Sequence, residues 1–215
     1  MKAFIFDMDG VIIDSEPIHF EVEIGTVKYF GAEITQQQLE SYVGMTAPEM
    51  WNVIRNEYKL AHPVEEILAY QLENKIKALR ASELEPIEGI KEVIEGLKQR
   101  QIPVGIASSS SPEFIKEVLL KFGLTEYFDC IVSGEEVPKG KPAPDVYLKA
   151  AEQLGVKPED CVVLEDSSHG VTAAKAAGMK CIGYVNVNSG NQDLSRADLI
   201  VSSIRDINLD DLSRM

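Results

Sequence analysis

Two aspartates separated by a single residue, Asp7 and Asp9, close the apolar run that opens the chain, Lys2-Ala3-Phe4-Ile5-Phe6-Asp7-Met8-Asp9-Gly10. Residues 3–6 have no helical spacing and read as a short strand buried on both faces. Both carboxylates then stand at its carboxyl end, the edge where open α/β sheets bind ligands. Gathering acids there is costly unless a cation, a proton or a substrate compensates. The pair therefore points to a metal-dependent site, against the plainer alternative of acidic turn residues.

Three further segments place reactive side chains after apolar runs. Val104-Gly105-Ile106-Ala107 leads into Ser108-Ser109-Ser110-Ser111-Pro112, where hydroxyls and free backbone N–H groups at a helix start would make an anion site. Lys139-Gly140-Lys141-Pro142-Ala143-Pro144 follows the apolar stretch near Val132. Its prolines stiffen the backbone around Lys141, so less freedom is lost when the lysine meets an anion. Cys161-Val162-Val163-Leu164 ends in Glu165-Asp166, two hard oxygen donors of the kind that suit magnesium. Each segment alone has a bland explanation in capping residues or a solvated lysine.

These groups need a scaffold that brings them to one edge. Residues 16–81 contain no convincing strand. Val64, Ile67, Leu68, Leu72, Ile76 and Leu79, and more briefly Met50, Val53 and Ile54, repeat at helical spacing. The proline of Ser82-Glu83-Leu84-Glu85-Pro86 ends this helical block and marks a linker. Beyond it, helices alternate with short apolar strands at 103–107, 129–132, 161–164, 181–184 and 199–201. Strands separated by covering helices imply a parallel sheet. The expected fold class is α/β, a doubly wound core interrupted by a helical insertion directly after the first strand. An insertion there projects over the strand's carboxyl end, as a lid would.

Composition narrows the function. The 215 residues are 45% apolar and 26% charged, an ordinary globular balance. A formal net charge of −14 argues against nucleic acid and anionic membrane surfaces as partners. The same field repels phosphate, so a phosphate site needs its own cation. Cys130, Cys161 and Cys181 are odd in number, far apart and without zinc spacing, as expected of reduced core residues. No secretory signal pattern and no apolar run of membrane-spanning length stands out, so a cytoplasmic location is expected. A monomer is the default expectation.

With Asp-x-Asp, Ser, Lys and Glu-Asp in that order, the chain resembles the haloacid dehalogenase superfamily in its capped phosphatase branch. The resemblance covers nearly the whole length. It implies a Rossmann-like core of residues 1–15 and 82–215 and a small helical cap domain of residues 16–81. It also implies Mg2+-dependent hydrolysis of a small phosphorylated metabolite, most simply a sugar phosphate, through an aspartyl-phosphate. Asp7 would be the nucleophile, and Asp9 the general acid that later activates water. Ser108, Ser109 and Lys141 would bind the transferring phosphoryl group. Asp7, the backbone carbonyl of Asp9 and Asp166 would hold magnesium, with Glu165 in support. A carboxylate and a phosphate charge about 4 Å apart repel by about 4 kcal/mol at an effective dielectric of 20, so attack requires such neutralisation. Asp9 is expected to be protonated part of the time near neutrality, its pKa raised by neighbouring acids. Branches of the superfamily with dehalogenase or phosphonatase chemistry lack the second aspartate.

The stretch DGVIIDSEPIH resembles that of β-phosphoglucomutases, and there His19 would touch substrate or couple cap closure to acid–base chemistry. The position of the mutase's phosphate-gripping arginine holds Ala47. Its substrate lysine has no match at 70–72, although Lys75 is close. These absences count against the alternative of an intramolecular phosphotransferase. Trp51 is expected in the core of the helical block, and no role is assigned to His62 or His169. A signalling receiver module uses similar groups, but its acceptor follows the third strand.

Overall fold

Parallel strands cannot be joined by a tight turn, and each crossover here is covered by a helix or a longer connection. The computed structural model describes residues 1–212; positions 213–215 of the expected core segment lie outside the described residues. Strands β1 (Ala3–Phe6), β2 (Val104–Ser108), β3 (Cys130–Ser133), β4 (Cys161–Glu165), β5 (Lys180–Tyr184) and β6 (Leu199–Val201) form one sheet. Their order is β3-β2-β1-β4-β5-β6, with every neighbour parallel. The strand bounds agree with the sequence expectation to within one residue. β2 runs on through Ser108 because that residue still pairs with Ser133.

β1 sits between β2 and β4, and its side chains serve two layers. Phe4 and Phe6 pack with the inward faces of α5 (Ile90–Gln99) and α6 (Pro112–Phe122). Ala3 and Ile5 pack with α7 (Asp145–Leu154) and α8 (Ser168–Ala176) on the other face. That two-sided burial is why the run is continuously apolar. Each large side chain buried there contributes about 1.5–3 kcal/mol. The helix signals are local: Ser111 accepts from the N–H of Phe114 ahead of Pro112, and Gly123 closes α6 at φ 66°. The three cysteines are buried, unpaired core residues.

Between β1 and β2 lie α1 (Glu16–Tyr29), α2 (Gln36–Leu39), α3 (Ala47–Glu57) and α4 (Val64–Ala81). These helices have a separate core around Trp51, Phe20, Ile54 and Ile67, so Trp51 is where the sequence placed it. α4 belongs to both parts, since Leu72, Ile76 and Leu79 pack on the main core while Ile67 faces the helical one. The block enters and leaves side by side: Ile13 bridges to Asp9 and Pro86, and the N–H of Ile87 donates to the carbonyl of Ile12 at 2.9 Å. It also touches the sheet's carboxyl edge. Ser109 Oγ donates to the Gly44 carbonyl at 2.6 Å, and His169 Nδ1 lies 3.0 Å from the Val43 carbonyl. Gly44, at φ 88°, permits this approach because a Cβ there would lie 3.0 Å from Ser167 Oγ. No described helix is long and apolar enough to cross a membrane.

Candidate active site

All four motifs meet at the carboxyl edge of the sheet, around a lysine that is almost completely buried. Lys141 Nζ donates to Asp7 Oδ1 at 2.6 Å and to Glu165 Oε1 at 2.7 Å. It lies 5.0 Å from the centre of the Tyr147 ring. Asp7 follows β1 directly and its N–H donates to the Leu164 carbonyl, which fixes the backbone beside β4. Glu165 ends β4 with its carboxylate fully engaged. Oε1 accepts from Lys141 and the Tyr147 hydroxyl, and Oε2 from the N–H groups of Asp166 and Ser167 and the hydroxyl of Ser167. Glu165 therefore orients the lysine and the loop leading into α8. Gly170 lets that helix approach, since a Cβ there would stand 1.6 Å from Glu165 Oε1.

Asp166 comes next, and its carboxylate accepts from the buried hydroxyl of Ser189. Oxygens of Asp7, Glu165 and Asp166 all lie within 4.8 Å of one another. Three carboxylates thus converge, and one ammonium meets two of them. Burial pushes the carboxyls of Asp7 and Asp166 up, and Glu165 raises both further; Lys141 only partly offsets this at Asp7. At Glu165 burial is overcome by Lys141 and the hydrogen bonds, and the group stays below its usual range. Uncompensated charge, hard oxygen donors and the room left by Gly10 together fit a divalent cation. At Gly10, φ 77°, a Cβ would lie 1.9 Å from Asp166 Oδ2.

Asp9 points the other way, toward the helical block. Its Oδ1 accepts from Ser15 Oγ at 2.6 Å and faces His19 Nε2 at 2.8 Å; its Oδ2 accepts from Ser110 Oγ at 2.7 Å and Ser108 Oγ at 3.2 Å. Here the structure corrects the sequence expectation. Burial pushes the Asp9 carboxyl up, but the His19 charge and hydrogen bonds from His19, Ser15 and Ser110 outweigh it and hold the group well below the usual carboxylate range. Neighbouring acids were expected to keep it partly protonated, whereas its immediate neighbours are all donors.

Among the expected phosphate-binding serines, Ser108 is fully buried beside Asp9, and Ser109 lines the cavity with its hydroxyl turned to Gly44. Ser110, next in the run, makes the shorter bond to Asp9. A cavity of about 170 Å³ extends from Asp7 and Lys141 up to the helical block. His19 and Ala47 line it, and so does Lys75, which donates to Glu23 Oε1 at 3.0 Å. Gln71 Nε2 donates to the same oxygen at 3.1 Å. Glu16 is buried at the same wall, and burial together with Asp9 and Glu23 pushes its carboxyl well up. Sequence reasoning did not single out Ser110, Tyr147, Ser189, Glu16, Glu23 or Gln71. Only Ser110 carried a signal, its place in the serine run. His62 is half exposed beside Glu66, outside the cavity.

Residues 4–184 match the family model described as haloacid dehalogenase-like hydrolase. The chain belongs to this family. Among its relatives, the hydrolase is 35% identical to the "Phosphorylated carbohydrates phosphatase" of Thermotoga maritima, over 89% of this chain and 88% of that one. It is 33% identical to "Hexitol phosphatase B" of Escherichia coli (strain K12), over 98% and 96%. Of solved structures, a β-phosphoglucomutase from Clostridium difficile is 25% identical, with a TM-score of 0.89 over 100% of this chain and 96% of that chain. The family match and the relatives' names are consistent with a phosphoric monoester hydrolase.

Proposed function

We propose that this hydrolase is a magnesium-dependent phosphatase of a small phosphorylated metabolite, a sugar or sugar-alcohol phosphate, acting through an aspartyl-phosphate. The observation that carries the proposal is the convergence of Asp7, Glu165 and Asp166, two of them paired with Lys141. The names of the relatives, phosphatases of phosphorylated carbohydrates and of hexitols, supply the substrate class.

In this reading residues 1–15 and 82–215 are the core and residues 16–81 the cap. Asp7, the Asp9 carbonyl and Asp166 would hold Mg2+, which would supply charge neutralisation at the phosphoryl group. An oxygen of Asp7 attacks phosphorus while the bond to the substrate's alcohol oxygen breaks. Asp9 delivers a proton to that oxygen, then takes one from the water that attacks the aspartyl-phosphate and releases inorganic phosphate. His19 Nε2, 2.8 Å from Asp9 Oδ1, orients that carboxylate for both proton transfers. Lys141 keeps Asp7 positioned and offsets its charge. Ser108 and Ser110, which donate to Asp9, would help bind the phosphoryl group, and the cap would exclude water.

Asp7→Asn tests the mechanism. Magnesium-dependent phosphate release from sugar phosphates should vanish while the far-UV circular dichroism stays as in the parent; continued turnover would refute Asp7 as nucleophile. The mutase alternative is disfavoured by Ala47 at the cavity wall. It predicts glucose 6-phosphate from β-glucose 1-phosphate with a trace of bisphosphate, in place of free phosphate.

A further inference from the structure

The cap wall of the cavity carries a polar group of its own, away from the four motifs. Glu23 Oε1 receives both Gln71 Nε2 and Lys75 Nζ, and the pair Glu23–Lys75 is about nine-tenths buried. That leaves Glu23 Oε2 and Gln71 Oε1 as acceptors and the remaining N–H groups of Lys75 as donors. Glu16, a further buried acid, lines the same wall. Glu113 and Glu135 also line the cavity, and no arginine does among the described residues. Both lysines at the cavity are already committed to carboxylates.

We infer that Glu23, Gln71 and Lys75 act as a specificity filter, accepting a substrate with one phosphate and a neutral, hydroxyl-bearing remainder and rejecting one with a second anionic group. The inference rests on the phosphatase reading and deepens it. A hydroxyl both donates and accepts, so it satisfies Glu23 Oε2 or Gln71 Oε1 together with a Lys75 N–H. A second phosphate or a carboxylate at the distal end offers only acceptors. It would meet a wall of acids whose one cation is already neutralised, and would be left partly unpaired in a site that excludes water. The discrimination comes from repulsion as much as from fit.

The test compares fructose 1-phosphate with fructose 1,6-bisphosphate as substrates of the full chain in magnesium, with p-nitrophenyl phosphate as a hydroxyl-free reference. The parent should favour the monophosphate at least tenfold in kcat/KM, mainly through KM. Glu23→Gln keeps an acceptor for Gln71 and Lys75 but frees the ammonium charge, and should shift the ratio about tenfold toward the bisphosphate. Lys75→Gln leaves Glu23 uncompensated and should shift it the other way. Each ratio is taken within one preparation, so loss of folded protein cancels, and opposite shifts cannot arise from instability. Equal use of both sugars by the parent, or the same direction of change in both variants, overturns the filter while leaving the phosphatase reading intact. Absence of phosphate release from all three compounds overturns the phosphatase reading and the filter with it.

Discussion

Replacing Lys141 with methionine removes a cation that holds two buried carboxylates, Asp7 at 2.6 Å and Glu165 at 2.7 Å. Two hydrogen bonds to charged groups contribute about 1.5–3 kcal/mol each. Losing one partner of a buried ion pair costs about 3–5 kcal/mol, because the stranded charge stays behind. Lys141→Met should therefore destabilise the metal-free protein by about 3–5 kcal/mol. For a chain of this size that is a fall in Tm of about 6–20 °C. Asp7→Asn in the same background removes one stranded charge and should recover about 1–3 kcal/mol relative to Lys141→Met alone. Urea unfolding at neutral pH, followed by far-UV circular dichroism across the four variants, measures both quantities. A loss under about 1 kcal/mol for Lys141→Met, or strict additivity of the two substitutions, would refute the view that the lysine neutralises this cluster.

Magnesium alone should raise the Tm of the parent, by the equivalent of about 2.7 kcal/mol at one hundred times its dissociation constant, and should not do so for Asp166→Asn; equal shifts in both count against Asp166 as a ligand. Gly170→Ala drives a methyl to 1.6 Å from Glu165 Oε1 and should cost about 3 kcal/mol in urea unfolding, the upper end of overpacking. A cost below about 1 kcal/mol would mean Glu165 is free to move. Asp198 accepts from Lys175, Lys180 and the N–H of Cys181. Partial burial pushes its carboxyl up, but these donors prevail and hold its pKa below the ordinary value. A depressed pKa contributes stability above the unfolded-state value near 3.8, which is lost as pH falls through the folded-state value. The stability gap between the parent and Asp198→Asn should thus be present at neutral pH and close in acid, and a gap independent of pH contradicts the assignment.

The parts legible in the sequence are those in which one residue type has few structural uses. A strand buried on both faces must be apolar throughout, so β1 and β4 stood out, and the acids following them marked the sheet edge without reference to anything distant. Pro112 and Gly123 bounded α6 for local backbone reasons. What stayed hidden depends on tertiary approach. Tyr147 reads as one more apolar position of α7, and only packing reveals that its hydroxyl meets Glu165. Glu23 and Lys75 are 52 residues apart on different helices, and each alone resembles a solvated charge. Asp9 was misjudged because acidic neighbours in the sequence suggested acidic neighbours in space. A turn of the backbone instead faces it toward three hydroxyls and His19.

The position of β1 has a consequence for how the chain is made. It leaves the ribosome well before its neighbours on either side, β2 and β4, which begin about 100 and about 155 residues later. During synthesis a wholly apolar ribbon therefore waits with both edges open, the condition under which nascent chains stick to one another. Early helix formation by residues 16–81 would shield it through local contacts that form quickly. A segment proposed to choose substrates would thus double as a guard for the growing polypeptide.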